Sequence, residues 1–553
     1  MKLRSKCALV ALSCFLASIS IHAQKLPSIQ KQGTVEQFIV QGKPFLMLAG
    51  ELGNSSSATA AQADEILPRL ARLHFNTVLV PVAWDQIEPL EGQFDFSLLD
   101  HWIDVARQQH LHLVLLWFGS WKNAFSEYAP QWVLSDTKRF PRAISADGLP
   151  LEILSPLGAE TARCDSRAFA ALMHHLRQQD AEQQTVLMVQ VENEIGILSV
   201  GGRDRSDQAN QLFAAPVPRD LSADLLAHRA QLPQDLARLL NLKSGSSWKD
   251  MFGDHADEAF MAWHYGLFAE QVAKTGKAEY ALPMYMNAQL PAPFEHAGEY
   301  PSGGPYPLVE AIYREAALHI DFYAPDIYWP DFGAWVERYQ AAGNPAFIPE
   351  ARLDVAPGNA LYTFGEARGF GFSPFAVDSI PEHPQPSSSP SQSAPALPSA
   401  PGIADVYAIL STVTGEILDA QQKNQIRALV LHESSPRPSQ TVSLGGYLFR
   451  ATLSRTWPAR QLAASDGAMM VIETAPDTFL VIGSGLTVTI LRDPDTDSRI
   501  GGIAGIEQVA KVNGQWTTER ILNGDQSDQG RALLMDAHEI RVYRVKLLSY
   551  PRH

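Results

Sequence analysis

A chain of 553 residues, 46% hydrophobic and 19% charged, is long enough for two or more domains, each with a core of its own. Its formal charge of −16 gives no sign of a nucleic-acid or anionic-membrane partner, both of which usually need a basic face. Of three cysteines, Cys7 and Cys14 fall near the N-terminus and leave Cys164 alone, which excludes a disulfide scaffold.

Residues 1–23 have the form of a secretory signal: Lys2, Arg4 and Lys6, an apolar segment over 7–21, then Ala23. The apolar run is short for a spanning helix, so no membrane insertion is expected once the signal is removed, and a periplasmic or secreted location follows. Residues 37–50 read as two short strands joined at Gln41-Gly42-Lys43-Pro44, the second leading into Glu51. Residues 58–74 carry apolar positions at helical spacing, 77–82 form a β-branched strand leading into Trp84, 101–109 a helix, and 111–116 a strand leading to Trp117, Trp121, Lys122 and Asn123. Strand–helix alternation of this kind implies parallel βαβ units.

Residues 187–191 are almost continuously apolar, as expected of a strand buried on both faces, and they run into Glu192-Asn193-Glu194. Further strands are expected over 283–286, 320–323 with an extension to Tyr328, 346–349 and 361–364. The count reaches eight and predicts a (β/α)8 TIM barrel over 24–434, with an insertion at about 197–282 and a flexible Pro/Ser-rich stretch over 381–402. A helix over 404–425 completes it. Beyond residue 434 short strands at 447–453, 469–473, 479–482, 486–491 and 540–548 predict a smaller all-β sandwich over 435–553.

In a parallel barrel the functional groups collect at the C-terminal ends of the strands. Glu194 and Glu350 both stand at such ends, far apart in sequence, and would converge at one mouth as a two-carboxylate glycosidase requires. Glu192 shares the face of Glu194 if the strand stays regular, although a supporting role suits it better. Arg352, two residues beyond Glu350, could balance that carboxylate. No phosphate loop, nucleophile elbow or metal-binding His-Glu-x-x-His helix is present in the sequence.

Several stretches resemble glycoside hydrolase family 35, the β-galactosidases: GKPFLMLAGE from Gly42, FNTVLVPVAWDQIEPLEGQFDF from Phe75, Pro130-Gln131-Trp132, VENEIG from Val191, and the strand-end Glu350. The resemblance implies that Glu194 is the acid/base, Glu350 the nucleophile, Asn193 a neighbour of the sugar 2-hydroxyl and Glu88 a ligand to galactose hydroxyls. Glu51, Trp84, Trp121, Asn123 and Tyr328 complete the expected sugar-binding set. Ile87, the absence of a His-Tyr pair after Glu51, and the segment from Phe364 to Ser373 depart from the family pattern and point to a divergent bacterial branch. The expectation is an exported, retaining, exo-acting β-galactosidase taking terminal galactose from a carbohydrate such as a plant cell-wall glycan, with no cofactor and no metal. A related exo-glycosidase such as a β-glucosidase, or a non-catalytic carbohydrate-binding protein, are the alternatives.

Overall fold

The computed structural model describes residues 25–232, 236–237, 240, 246–382, 401–456, 459–496 and 498–551. The expected export signal, and all but the ends of the Pro/Ser-rich stretch, lie outside the described residues.

The centre of the molecule is a ring of parallel strands: Met47–Glu51, Thr77–Ala83, His112–Lys122, Val186–Asn193, Met284–Gln289, Phe322–Ile327, then a seventh split into Phe347–Ile348 and Glu350–Ala351, and finally Gly371–Phe372. Pro349 lacks an amide hydrogen and interrupts the seventh strand. Its first half pairs with the eighth strand and its second half with the sixth; the eighth also pairs with the first, so the sheet closes on itself. Alternation along the strands explains the unbroken apolar runs. Val114 and Leu116 fill the barrel interior with Leu79, Met188, Phe322 and Phe347, whereas Leu113 and Leu115 face the surrounding helices. A three-stranded antiparallel sheet, Ser28–Gln32, Val35–Val40 and Lys43–Phe45, adds Phe38 and Val40 to the interior cluster. Phe38 stacks near Phe370 and Phe45 near His112, both just at the N-terminal strand ends, so this sheet stops the bottom of the barrel.

Two expectations need correction. Residues 361–364 are not the eighth strand; they belong to the helix Ala356–Gly365. Its apolar residues are buried all round, because one side packs on the barrel and the other on the C-terminal domain, and that hides the helical period. The true closing strand is two residues long and has no period to read. The long insertion is also shorter than expected: its last part is the barrel helix Ala256–Glu279, packed on Ala159–Asp180.

The C-terminal part is two antiparallel sheets, of six and four strands. Strand Ile426–His432 already belongs to the larger sheet, paired with Asp466–Ala475. Met469, Val471, Phe479 and Val481 point into the sandwich, and Met470, Ile472, Leu480 and Ile482 point at the barrel's helices. The strands Asp466–Ala475 and Thr478–Ser484 are buried on both faces, and through them the two parts share one continuous core.

Candidate active site

The C-terminal ends of the strands surround a cavity of ≈ 340 Å³, at the small end of the range for ligand pockets (about 300–1,000 Å³). Glu194, Asp326, Glu350 and Lys122 line it together with Asn123 and Tyr328. One carboxyl oxygen from each of Glu194, Asp326 and Glu350 lies within 4.8 Å of the others. Glu51, at the end of the first strand, is fully buried against Glu350, and neither of its oxygens meets a donor. Four acids therefore share the site with the Lys122 ammonium.

Such crowding decides the protonation states. Two ionised carboxylates about 5 Å apart repel by about 3 kcal/mol even at an effective dielectric of about 20. Burial, and then the Glu350 charge, push Glu194 up to about 7, against the opposing pull of Lys122 and of hydrogen bonds from Asp326 and Asn123. Burial and the same neighbours hold Glu51 and Asp326 well above the ordinary carboxyl range. For Lys122, burial favours the neutral amine, but Glu350, Glu194, Glu51 and Asp326 outweigh it and its pKa is raised. The three lining carboxyls are close enough to share a cation, yet the protein supplies its own counter-charge in Lys122.

Backbone geometry aims these groups. Asn123, Ala124, Glu192 and Glu194 all have positive φ, a region that non-glycine residues seldom occupy. The turn at Glu192 breaks the period of two. Glu192 therefore does not share the face of Glu194; it points to the outer side of the strand, where Oε2 accepts from the Trp121 amide at 2.9 Å and its carboxyl meets that of Asp165. Glu194 turns into the pocket, its amide held by Asn287 Oδ1 at 2.9 Å and its carboxyl by the Asn123 side chain. The Tyr328 hydroxyl donates to Glu350 Oε1, and Oε2 has no partner. The Asn193 amide is buried with neither its nitrogen nor its oxygen paired.

Of the residues expected to bind sugar, the structure gathers Glu51, Asn123 and Tyr328 around the two glutamates, and Asn193 is buried next to Glu194 without lining the cavity. It does not bring Glu88, Trp84 or Trp121 there. Glu88 is fully buried in an ion pair with Arg167 and also accepts from Trp84 Nε1 at 3.0 Å and the Gly92 amide at 2.6 Å, so its oxygens are occupied. Trp84 is committed to that carboxylate and packs edge-on against Trp132. Trp121 donates to the Leu154 carbonyl and is enclosed by Tyr265 and Phe268. Arg352 pairs with Asp354 and not with Glu350. Asp326 and Asn287 were not anticipated; an acid inside the apolar stretch Phe322–Ile327 was the available signal for the first. No residue of 197–282 lines the cavity among those described.

Residues 54–229 match a family model described as beta-galactosidase, that of glycoside hydrolase family 42, and residues 403–534 match a domain of unknown function. A beta-galactosidase of Xanthomonas manihotis is 27% identical over 253 residues, which is 43% of this chain and 38% of that protein; the chain thus spans well under half of the curated relative it matches. Among solved structures, the catalytic domain of a beta-amylase from Paenibacillus polymyxa aligns at 11% identity with a TM-score of 0.42, covering 60% of this chain and 93% of the other. A cold-adapted beta-galactosidase from Rahnella sp. R3 aligns at 15% identity and 0.40, covering 60% and 50%. The barrel segment is thus similar, over residues 54–229, to glycoside hydrolases. The family model it matches is that of family 42, where the sequence motifs resemble family 35.

Proposed function

We propose that the protein is a retaining, exo-acting β-galactosidase, more closely allied to family 42 than to family 35, that works by double displacement on terminal β-linked galactose. The observation that carries this is the approach of Glu194 and Glu350 oxygens to within 4.8 Å across one pocket, a spacing suited to a retaining pair, whose carboxyls stand roughly 5–5.5 Å apart. Glu350 attacks the anomeric carbon through the unpartnered Oε2, while Tyr328 holds Oε1. Glu194, with a pKa of about 7, carries the proton that the leaving oxygen takes and then accepts one from the water that releases the sugar. Asn193, whose amide meets no protein partner, donates to a sugar hydroxyl. A cavity of this size suits a terminal sugar. We assign residues 1–23 to export and place the enzyme in the periplasm or outside the cell, with a carbohydrate such as a plant cell-wall glycan as substrate.

The test is turnover of nitrophenyl β-galactoside and β-glucoside by the native protein, Glu194→Ala and Glu350→Ala. Galactoside hydrolysis lost in both variants, with azide restoring Glu350→Ala and giving the inverted galactosyl azide, is the expected result. Glucoside preference moves the reading to a β-glucosidase; activity surviving in both variants removes these two residues from the chemistry.

A further inference from the structure

Asp326 is one of two acids, with Glu51, that neither catalytic role uses. Asp326 stands at the end of the sixth strand, buried at the cavity wall with a carboxyl oxygen within 4.8 Å of one of Glu194, while its Oδ2 accepts from Asn287 Nδ2 at 2.7 Å. The same Asn287 side chain, through Oδ1, receives the Glu194 amide at 2.9 Å. Asn287 thus joins the two acids: it bonds Asp326 and holds the Glu194 backbone, and the two carboxyls approach each other on the cavity side. Among the described residues no donor meets Asp326 Oδ1. An ionised Asp326 would leave that oxygen buried, unpaired and among like charges; a protonated one supplies the hydrogen that a contact between two carboxyl groups needs.

We propose that Asp326 keeps its own proton and donates it as a hydrogen bond to Glu194, which makes it a positioning residue for the acid/base. The inference rests on the acid/base role given to Glu194 above. The charged and titratable groups acting on Asp326 are Glu51 from the first strand, Lys122 from the third, Glu194 from the fourth and Glu350 from the seventh, and Tyr285, Tyr328 and Tyr339 also lie within its field. Three of the four charged neighbours are acids, which opposes a further negative charge on Asp326. Through the cycle the Asp326 proton stays on Asp326. Glu194 gives its proton to the leaving oxygen, becomes a carboxylate that accepts the Asp326 hydrogen bond more strongly, and recovers a proton from the attacking water.

The first test does not depend on substrate. Infrared spectra of the native protein and Asp326→Asn are titrated to about pH 8, where ordinary carboxyls are ionised. The native-minus-variant difference is expected to retain a protonated-carboxyl band, and that band is expected to shift when Glu194→Gln changes its acceptor. Absence of the band, or a band indifferent to Glu194→Gln, overturns the proposal whether or not galactosides are substrates. The second test uses turnover. Asp326→Asn keeps a donor toward Glu194 and an acceptor for Asn287, whereas Asp326→Ala keeps neither. The basic limb of the kcat/KM profile is therefore expected to move to higher pH in Asp326→Ala and to stay within a few tenths of a unit of native in Asp326→Asn. Asp326→Ala should also lose at least tenfold more activity on a galactoside with a poor leaving group than on the dinitrophenyl galactoside, which needs little protonation. Equal loss on both substrates, with the limb unmoved, marks a residue that only binds sugar or supports the fold.

Discussion

Replacing Glu88 by glutamine keeps the side chain's shape and removes its charge, and the structure assigns the consequence to stability and not to substrate binding. The native carboxylate accepts from Trp84 Nε1, from the Gly92 amide and from Arg167. Glutamine offers a single acceptor oxygen, so its NH2 must face at least one of those donors. Hydrogen bonds to a buried charge contribute about 1.5–3 kcal/mol each, and breaking a buried ion pair costs about 3–5 kcal/mol. Arg167 is 33% exposed and can regain water, which puts Glu88→Gln near the lower end, at about 3 kcal/mol. With a urea dependence of about 3 kcal/mol per molar, the unfolding midpoint followed by tryptophan fluorescence falls by about 1 M. The KM for nitrophenyl galactoside, measured on the same preparation well below that midpoint, changes by less than about twofold, because the residue lies outside the pocket. A tenfold rise in KM at an unchanged midpoint would refute this reasoning and return Glu88 to the sugar.

Trp121→Ala is expected to lower stability by about 3–5 kcal/mol, since the ring is wholly buried between Tyr265 and Phe268; a variant with a native unfolding midpoint and a raised KM would show instead that the indole contacts substrate. The Glu192–Asp165 pair makes stability depend on pH. Burial, and then Asp165, raise Glu192 well above 4.5, and burial raises Asp165 as well. The unfolded chain therefore ionises first: each group's contribution is complete below its unfolded value, 3.8 for Asp165 and 4.5 for Glu192, and is lost as pH climbs toward its folded value, at about 1.4 kcal/mol per unit for each group that lags. Glu192→Gln should flatten the decline in unfolding midpoint between about pH 5 and 8, and parallel slopes for the two proteins would show that the pair does not titrate as described.

How far the sequence discloses the site depends on how local each signal is. Glu194 and Glu350 are legible because a buried parallel strand reads as an apolar run, and an acid that ends such a run stands out. Asn123 and Tyr328 follow from lying beside strand ends. Glu88 and Trp84 were drawn toward the sugar by their motif, but what fixes them is Arg167, on a helix 79 residues away, and no spacing rule reaches that contact. Glu192 was placed by assuming a regular strand, which one left-handed residue undoes. The same limit applies to the fold. The six long barrel strands read as apolar runs and most of the sandwich strands alternate, whereas Gly371–Phe372 is too short to show either and Ala356–Gly365 is buried on too many sides to show its own period.

The left-handed residues also tie the pocket to structure outside it. Each costs about 1–2 kcal/mol relative to ordinary backbone, and four of them occur at two neighbouring strand ends. What holds them is a set of contacts on both sides of the strands: Trp121 N on Glu192, Ala124 N on the Glu194 carbonyl at 3.1 Å, and Asn287 on the Glu194 amide. Glu192 is in turn seated against Asp165, which also accepts from Trp117 Nε1 at 2.9 Å and the Ser120 hydroxyl at 2.5 Å. Gly119 makes that seat possible, because a Cβ there would lie 2.8 Å from both carboxyls and closer still to Trp117. The outward carboxyl thus fixes the turn that sends the next one but one inward. A side chain added at Gly119 has to displace Asp165 or Glu192, and through the shared turn it reaches Glu194 without touching the pocket.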